Sequence, residues 1–317
     1  MELNDITALA TAIRDNIQKV IIGKEQTITL MITALFSGGH ILLEDTPGTG
    51  KTLLAKSLAS SIHADCRRIQ FTPDLLPSDI TGLHMFDPKE NVFRFIPGPA
   101  FSNILLADEI NRATPRTQSA LLECMAETQI TVDGSTYPLE RPFFVIATEN
   151  PVETAGTFPL PEAQLDRFIM RLPMKMPTNA EEMDILSRFM NQDPYTELQA
   201  VCEGADIVDA SRQIQNIYVH KCVRQYMVDL VQATRHHSAV RLGASPRSAL
   251  ALLTACQAYA AICGSSYVTP DHVKHLAVPV LAHRLLMQNG RSTTKDTEDL
   301  IRELLGSVSV PTEDWTC

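Results

Sequence analysis

Five short strand-like runs, with helical patterns between several of them, constrain this chain more than any other feature. They are His40–Leu43, Arg67–Phe71, Asn103–Ala107, Phe143–Thr148 and Ile169–Leu172. Most are apolar at successive positions, so as strands they have no wet face and need cover on both sides. Lys51–Ser61 carries a helical pattern, and Thr114 with Pro115 opens another that runs to about Glu127. That alternation predicts an α/β fold, a five-stranded parallel sheet between helices. Before it, Asn4 predicts the cap of a helix whose apolar positions are Ile6, Leu9, Ile13 and Ile17. A second helical run ends near Phe36.

Two insertions interrupt the alternation. Gly82–Pro97 sets Met85, Phe86, Phe93 and Phe95 around a turn at Asp87–Asn91, and its aromatics are candidates for exposure. Gln129–Arg141 sets Ile130, Val132 and Tyr137 around Asp133-Gly134. Both read as hairpins. After Met176-Pro177-Thr178 strand-like runs cease and helices dominate. Ser245 with Pro246 opens a helix that stops at Gly264, and Thr269 with Pro270 opens the next. The boundary is expected near residue 177, giving an α/β domain over 1–177 and a helical domain over 178–317.

The most chemically explicit stretch is Leu42–Thr52, Leu-Leu-Glu-Asp-Thr-Pro-Gly-Thr-Gly-Lys-Thr. A strand runs into a turn with Pro47, Gly48 and Gly50, then into a helix. Backbone N–H groups of such a loop converge on one concavity, and the helix start adds positive potential, so the stretch predicts a nucleotide-phosphate site. Lys51 would reach the outer phosphates and the Thr52 hydroxyl would ligate Mg²⁺. The strict phosphate-loop pattern begins with Gly, and Asp45 stands there instead.

Other residues extend this reading. The apolar strand at 104–107 ends in Asp108-Glu109, at the strand end where α/β sheets bind ligands. Asp108 is expected to hold Mg²⁺ with Thr52, and Glu109 to orient and deprotonate a water. Asn150 follows another apolar strand and either positions that water or merely forms the turn before Pro151. Arg247 lies in the first turn of its helix, where a cation opposes the dipole unless an anion is near. Arg167 is either a local partner of Glu162 or Asp166 or a group that reaches a phosphate across a subunit boundary. His236-His237 and His272/His275 lack a matching ligand set and read as structural or surface residues.

Composition narrows the class. Lys and Arg number 27 against 37 Asp and Glu, a net charge of −10, and no basic run is present. That counts against a sequence-independent grip on nucleic acid. The seven cysteines form no C-x-x-C pair, and an odd count suits a reducing compartment. The acidic start is unlike a signal peptide and no apolar run approaches the ~20 residues of a membrane span, so a cytoplasmic protein is expected.

Assembled, these segments resemble the MoxR family of AAA+ ATPases over nearly the whole chain. The stretches that carry the resemblance are Gly39–Thr52, Leu106–Ala113, Gln118–Glu123, Ala147–Pro151, Gly156–Phe168 and Gly243–Arg247. The resemblance implies an AAA+ core with a C-terminal helical lid. It implies Lys51 and Thr52 as the Walker A pair, Asp108 and Glu109 as Walker B, Asn150 as sensor 1 and Arg247 as sensor 2. Arg167 would be an arginine finger acting on a neighbour's ATP in a ring, usually a hexamer. ATP or ADP would be held by Ile22, Gly23, Pro47, Gly48, Thr49, Gly50, Lys51, Thr52 and Leu53, with Ile22 and Gly23 on the adenine side. The two hairpins would be the helix-2 insert and the pre-sensor-1 hairpin. Asp45 is common in this family, whereas Glu149 stands where Gln is expected and adds negative charge near the phosphates. The implied activity is ATP-driven, chaperone-like remodelling or metal-cofactor insertion, with a von Willebrand factor A domain protein as partner. The ATPase subunit of a metal chelatase is the alternative, and a nucleic-acid motor the less favoured one.

Overall fold

The computed structural model describes residues 1–45, 48–150, 156–190, 193–288 and 293–311. Helices α1 (Leu3–Gln18) and α2 (Glu25–Phe36) precede strand β1 (Ile41–Asp45) and helix α3 (Lys51–Ser61). Then come β2 (Cys66–Gln70), the short α4 (Pro77–Thr81), hairpin strands β3 (Gly82–Asp87) and β4 (Val92–Pro97), and β5 (Ile104–Asp108). Helix α5 (Pro115–Glu127), hairpin strands β6 (Gln129–Val132) and β7 (Ser135–Pro138), β8 (Phe144–Glu149), the short α6 (Glu162–Leu165) and β9 (Met170–Met174) follow. The remainder is α7 (Asn179–Phe189), α8 (Gly204–Gln213), α9 (Lys221–His236), β10 (Val240–Leu242), α10 (Pro246–Ile262), α11 (Pro270–Leu281), β11 (Leu286–Met287) and α12 (Thr294–Ser307).

The five predicted strands form one sheet in the order β2-β5-β8-β1-β9, all parallel. Alternation along each strand divides the side chains between two cores. Ile41, Leu43, Ile104, Leu106, Phe144, Ile146, Met170 and Leu172 join α1, α2, α3 and the C-terminal helices in one continuous core. Leu42, Leu105, Ala107, Val145 and Ala147 face the other way, with Leu121, Leu122 and Phe168. Every one of these strand residues is at most 1% exposed, and each such large side chain contributes roughly 1.5–3 kcal/mol. Burial on both faces explains why the runs are apolar without alternation.

Helix α1 begins earlier than its sequence predicts. Its cap is Glu2 rather than Asn4, and the Asp5 carboxylate accepts the Glu2 backbone N–H at 2.9 Å. The two extra residues let Leu3 pack against the core. The helical C-terminal part also holds a small antiparallel ribbon of β10 and β11, too short to leave a strand-like pattern.

The hairpins lie off the main sheet. They clamp each other: Phe95 stacks on Tyr137 at 4.3 Å, and His84 Nδ1 lies 2.8 Å from Asp133 Oδ2. The expected exposure of the aromatics is therefore partial. Phe93 is 70% exposed and Phe86 47%, whereas Phe95 is half-buried. Among the described residues no helix is long and apolar enough to cross a membrane.

Candidate active site

Strand order puts the glycine loop at a switch point. β1 lies between β8 and β9, but its crossover through α3 lands on β2 at the far edge. Sheets of this kind bind ligands outside the carboxyl ends of their strands at such a point, here the ends of β1, β8 and β5. Gly48 and Gly50 of the loop have φ of +90° and +89°. A Cβ at either would meet nothing within 4 Å, so glycine is required for backbone conformation rather than space. Gly50 is the N-cap of α3, and Lys51, Thr52 and Leu53 form its first turn. A helix directs the N–H groups of its first turn out past its N-terminus, here towards the loop. Thr49 is 8% exposed. Pro47 lies outside the described residues.

Asp108 is the most constrained group here. It is 1% exposed, and both its oxygens are engaged. Lys51 Nζ is 2.8 Å from Oδ1, and the Thr148 hydroxyl donates to the same oxygen at 2.7 Å. Arg68 approaches Oδ2 with Nη2 at 2.6 Å and Nε at 3.2 Å. Burial alone would push the Asp108 carboxyl up, but the hydrogen bonds from Lys51, Thr148 and Arg68 outweigh it and hold it below the ordinary value. It is a buried carboxylate kept ionised by cations, which suits a metal ligand.

Glu109 leaves the strand in the left-handed region at φ +56°, anchored by its N–H to Thr148 Oγ1 at 2.8 Å. That turn sends it away from Asp108, so the adjacent acids take different partners. Gln70 Nε2 donates to Glu109 Oε2 at 2.9 Å, and Arg112 Nε lies 2.8 Å from the same oxygen. Asn150 directly follows β8, between the loop strand and the Asp108 strand. Glu149 is half-shielded by Arg171 at 3.7 Å, which also meets Glu44 at 3.1 Å. Burial pushes the Glu149 carboxyl up; Arg171 opposes and Glu44 reinforces this. The negative charge expected from Glu149 is thus partly offset. Thr294, at the start of α12, bonds both Arg171 and Glu44. Below this cluster a cavity of about 580 Å³ is lined by Gly23, Lys24, Arg171, Pro173 and His275. Ile22 is half-buried beside it.

The remaining two arginines are elsewhere. Arg167 precedes β9, at the amino edge of a parallel sheet whose carboxyl edge holds Lys51 and Asp108. A five-residue strand spans ~16 Å at 3.3 Å per residue. Arg167 donates to the Leu122 carbonyl at 2.8 Å, so neither of its proposed local acids holds it there. Asp166 instead forms an ion pair with Arg284, whose Nη1 lies 3.0 Å from Oδ1, and accepts the Ser245 and Ser248 hydroxyls at 3.1 and 3.4 Å. Burial lowers the Arg284 pKa to about 10, and nearby Arg247 adds to this. Arg167, Arg247 and Arg284 line one pocket of about 280 Å³ with His40 and Met125. Arg167 and Arg247 come together, apart from the phosphate loop.

Sequence reading missed Arg68, Gln70, Arg112 and Thr148, and offered Asp166 to Arg167 where the structure gives it Arg284. Arg112 was visible as the i+3 partner of Glu109. Arg68 and Gln70 share one face of β2, but only the pairing of Gln70 with Asp108 across β2 and β5 makes that matter.

This sheet and its loop are of the AAA+ class. The profile of the ATPase family associated with various cellular activities (AAA) matches residues 40–170, and that of the AAA lid domain matches 232–304. The chain is 38% identical to Chaperone MoxR1 of Mycobacterium tuberculosis, covering 93% of this chain and 80% of that one. It is 47% identical to the uncharacterised YeaC of Bacillus subtilis, over 94% of each. A solved structure from Cytophaga hutchinsonii, described as a candidate ATPase, superposes with a TM-score of 0.89 at 35% identity, over 98% of this chain and 97% of that one. The chain belongs to the MoxR family of AAA+ ATPases.

Proposed function

We propose that this protein hydrolyses ATP to ADP and phosphate in a ring of identical chains, and that the cycle drives chaperone-like remodelling of partner proteins. The convergence of Lys51, Asp108, Thr148 and Glu109 at the mouth of the Gly48–Gly50 loop carries the hydrolytic part. In the resting arrangement Lys51 neutralises Asp108. A triphosphate offers Lys51 a stronger anion and draws it from Asp108. Thr52 and Asp108 are the residues that would hold Mg²⁺, which when bound neutralises charge on the outer phosphates. The ionised, buried Asp108, surrounded by cations, fits that role. Glu109, released from Gln70 and Arg112, takes the proton of the attacking water, and Asn150 orients that water. The pocket containing Gly23 fits the adenine side.

The separation of Arg167 and Arg247 from the phosphate loop supports the ring. They serve a neighbouring chain's γ-phosphoryl, a contribution of ~10³–10⁵ in rate for such an arginine. A hexamer is the ring size we favour. The exposed Met85, Phe86 and Phe93 support the hairpin as the contact for a partner, for which we favour a von Willebrand factor A domain protein. The Mycobacterium tuberculosis relative's name, a chaperone, supports the remodelling part.

Turnover measured against protein concentration tests this reading. Specific activity should rise through the assembly range, and Glu109→Gln should bind ATP while barely hydrolysing it. Flat specific activity argues against arginines supplied in trans. Near-normal turnover of Glu109→Gln removes Glu109 as the base.

A further inference from the structure

We propose that Gln118 is a positioning residue that joins the turn after Glu109 to the segment that carries Arg167, so that nucleotide binding in one chain's site resets the arginine which that chain offers its neighbour. The inference rests on the ATPase reading above. Gln118 lies in the first turn of α5 and is fully buried. Its Nε2 donates to three main-chain carbonyls: Ile110 at 3.2 Å, Ala113 at 3.1 Å and Phe158 at 2.9 Å. The first two belong to the single helical turn Ile110–Arg112 and its end, directly after Glu109. The third belongs to the segment that leads through α6 to Arg167. The Phe158 N–H returns to the Asn111 carbonyl at 2.6 Å, so turn and segment are also tied directly. One helical turn past Gln118 on α5, the Leu122 carbonyl accepts Arg167 Nη1 at 2.8 Å.

This node is oversubscribed. A carboxamide nitrogen has two hydrogens, and three carbonyls share them. A buried carbonyl left without a donor is costly, so a shift of one acceptor redistributes the bonds to the other two. The turn is fastened to Glu109 as well: Arg112 Nε lies 2.8 Å from the Glu109 carboxylate, and the Arg112 N–H donates to the Glu109 carbonyl at 2.9 Å. When Glu109 exchanges Arg112 for a water beside the γ-phosphoryl group, the turn shifts and the hold on Phe158 changes with it. The segment that ends in Arg167 follows, at the other edge of the sheet.

Backbone hydrogen exchange read by mass spectrometry tests this, with a non-hydrolysable ATP analogue and Mg²⁺. It is run below the protein concentration at which specific activity rises, so that each chain meets only its own nucleotide. In the unmodified protein, residues 110–113 and 156–167 should change protection together. A response confined to 110–113, or none in protein that binds the analogue, overturns the proposal. Gln118→Met keeps the length of the side chain and removes both amide hydrogens. It should bind the analogue at full stoichiometry, keep the response at 110–113 and lose the one at 156–167. In the assembly range its kcat should fall by ~10²-fold at unchanged KM, the cost of a misplacement of about 1 Å. A retained response at 156–167, or an unchanged kcat, overturns the proposal. Partial unfolding would instead lower the number of binding sites and leave the response of the folded fraction intact. The arm on the unmodified protein decides by itself if Gln118→Met does not fold. If the unmodified protein does not bind the analogue with Mg²⁺, the ATPase reading falls first and takes this inference with it.

Discussion

Arg167 offers the sharpest test of how the site is completed. It stands before β9 at the amino edge of the sheet, while Lys51 and Asp108 occupy the carboxyl edge. The intervening strand length is ~16 Å, and an arginine side chain reaches less than half of that. Within one chain, Arg167 therefore cannot touch the phosphates held by Lys51. Arg167→Ala should lower turnover by ~10³-fold or more, the scale of a lost arginine finger. Lys51→Ala should also be inactive, through its own nucleotide site. The two defects lie on opposite sides of an interface, so mixed rings regain competent pairs wherever an Arg167→Ala chain faces a Lys51→Ala chain. Random mixing in equal amounts restores about one quarter of the interfaces in a closed ring of head-to-tail contacts. Co-expression with two affinity tags, tandem purification and a steady-state phosphate-release assay would measure it. Mixed rings no more active than the mean of their parents would refute trans action. The same experiment with Arg247→Ala asks whether the second arginine of the pocket serves the same neighbour.

Further outcomes follow from the buried groups and the exposed hairpin. His40 accepts the Val145 N–H at Nδ1 and donates from Nε2 to the Met125 carbonyl, and burial lowers its pKa from 6.5 to about 4. The unfolded chain takes the proton first, so this stability is complete above pH 6.5 and is lost as pH falls towards 4. The loss is roughly 3 kcal/mol at 1.36 kcal/mol per pH unit. Urea midpoints at pH 7 and 5 should show a smaller drop for His40→Gln than for the unmodified protein; equal drops would remove His40 as the cause. Asp166→Ala strips the buried Arg284 of its counter-charge and should destabilise by roughly 3–5 kcal/mol. Adding Arg284→Met should recover much of that in chemical denaturation, and no recovery would mean that the pair is not the source. Phe86→Ser with Phe93→Ser should leave melting and basal turnover unchanged yet abolish stimulation by a partner protein. Intact stimulation would exclude the hairpin as the contact.

The adjacent acids Asp108 and Glu109 and the glycine loop were legible because their signals are local. A strand that must be covered on both faces is written in consecutive apolar residues, as in Ile104–Ala107. A glycine held at φ near +90° is written in one residue, as at Gly48 and Gly50. Helix starts at Thr114, Ser245 and Thr269 were legible because each is followed by proline. The first helix was misread because Glu2 with Asp5 caps as well as Asn4 would, and burial of Leu3 favours the longer helix.

Sequence by itself determined the α/β class, the phosphate loop, the acids at the end of the Ile104–Asp108 strand and the family resemblance, since each depends on neighbours within a few residues. Tertiary structure alone decided what those acids touch and where the arginines stand. Arg68 meets Asp108 across 40 residues of chain, and Asp166 meets Arg284 across more than a hundred. Those pairings follow from strand order and register, which two packed cores fix together. Nothing local to Arg167 says which edge of the sheet it will occupy; the parallel direction of β9 says it, and places Arg167 at the edge opposite Lys51 and Asp108.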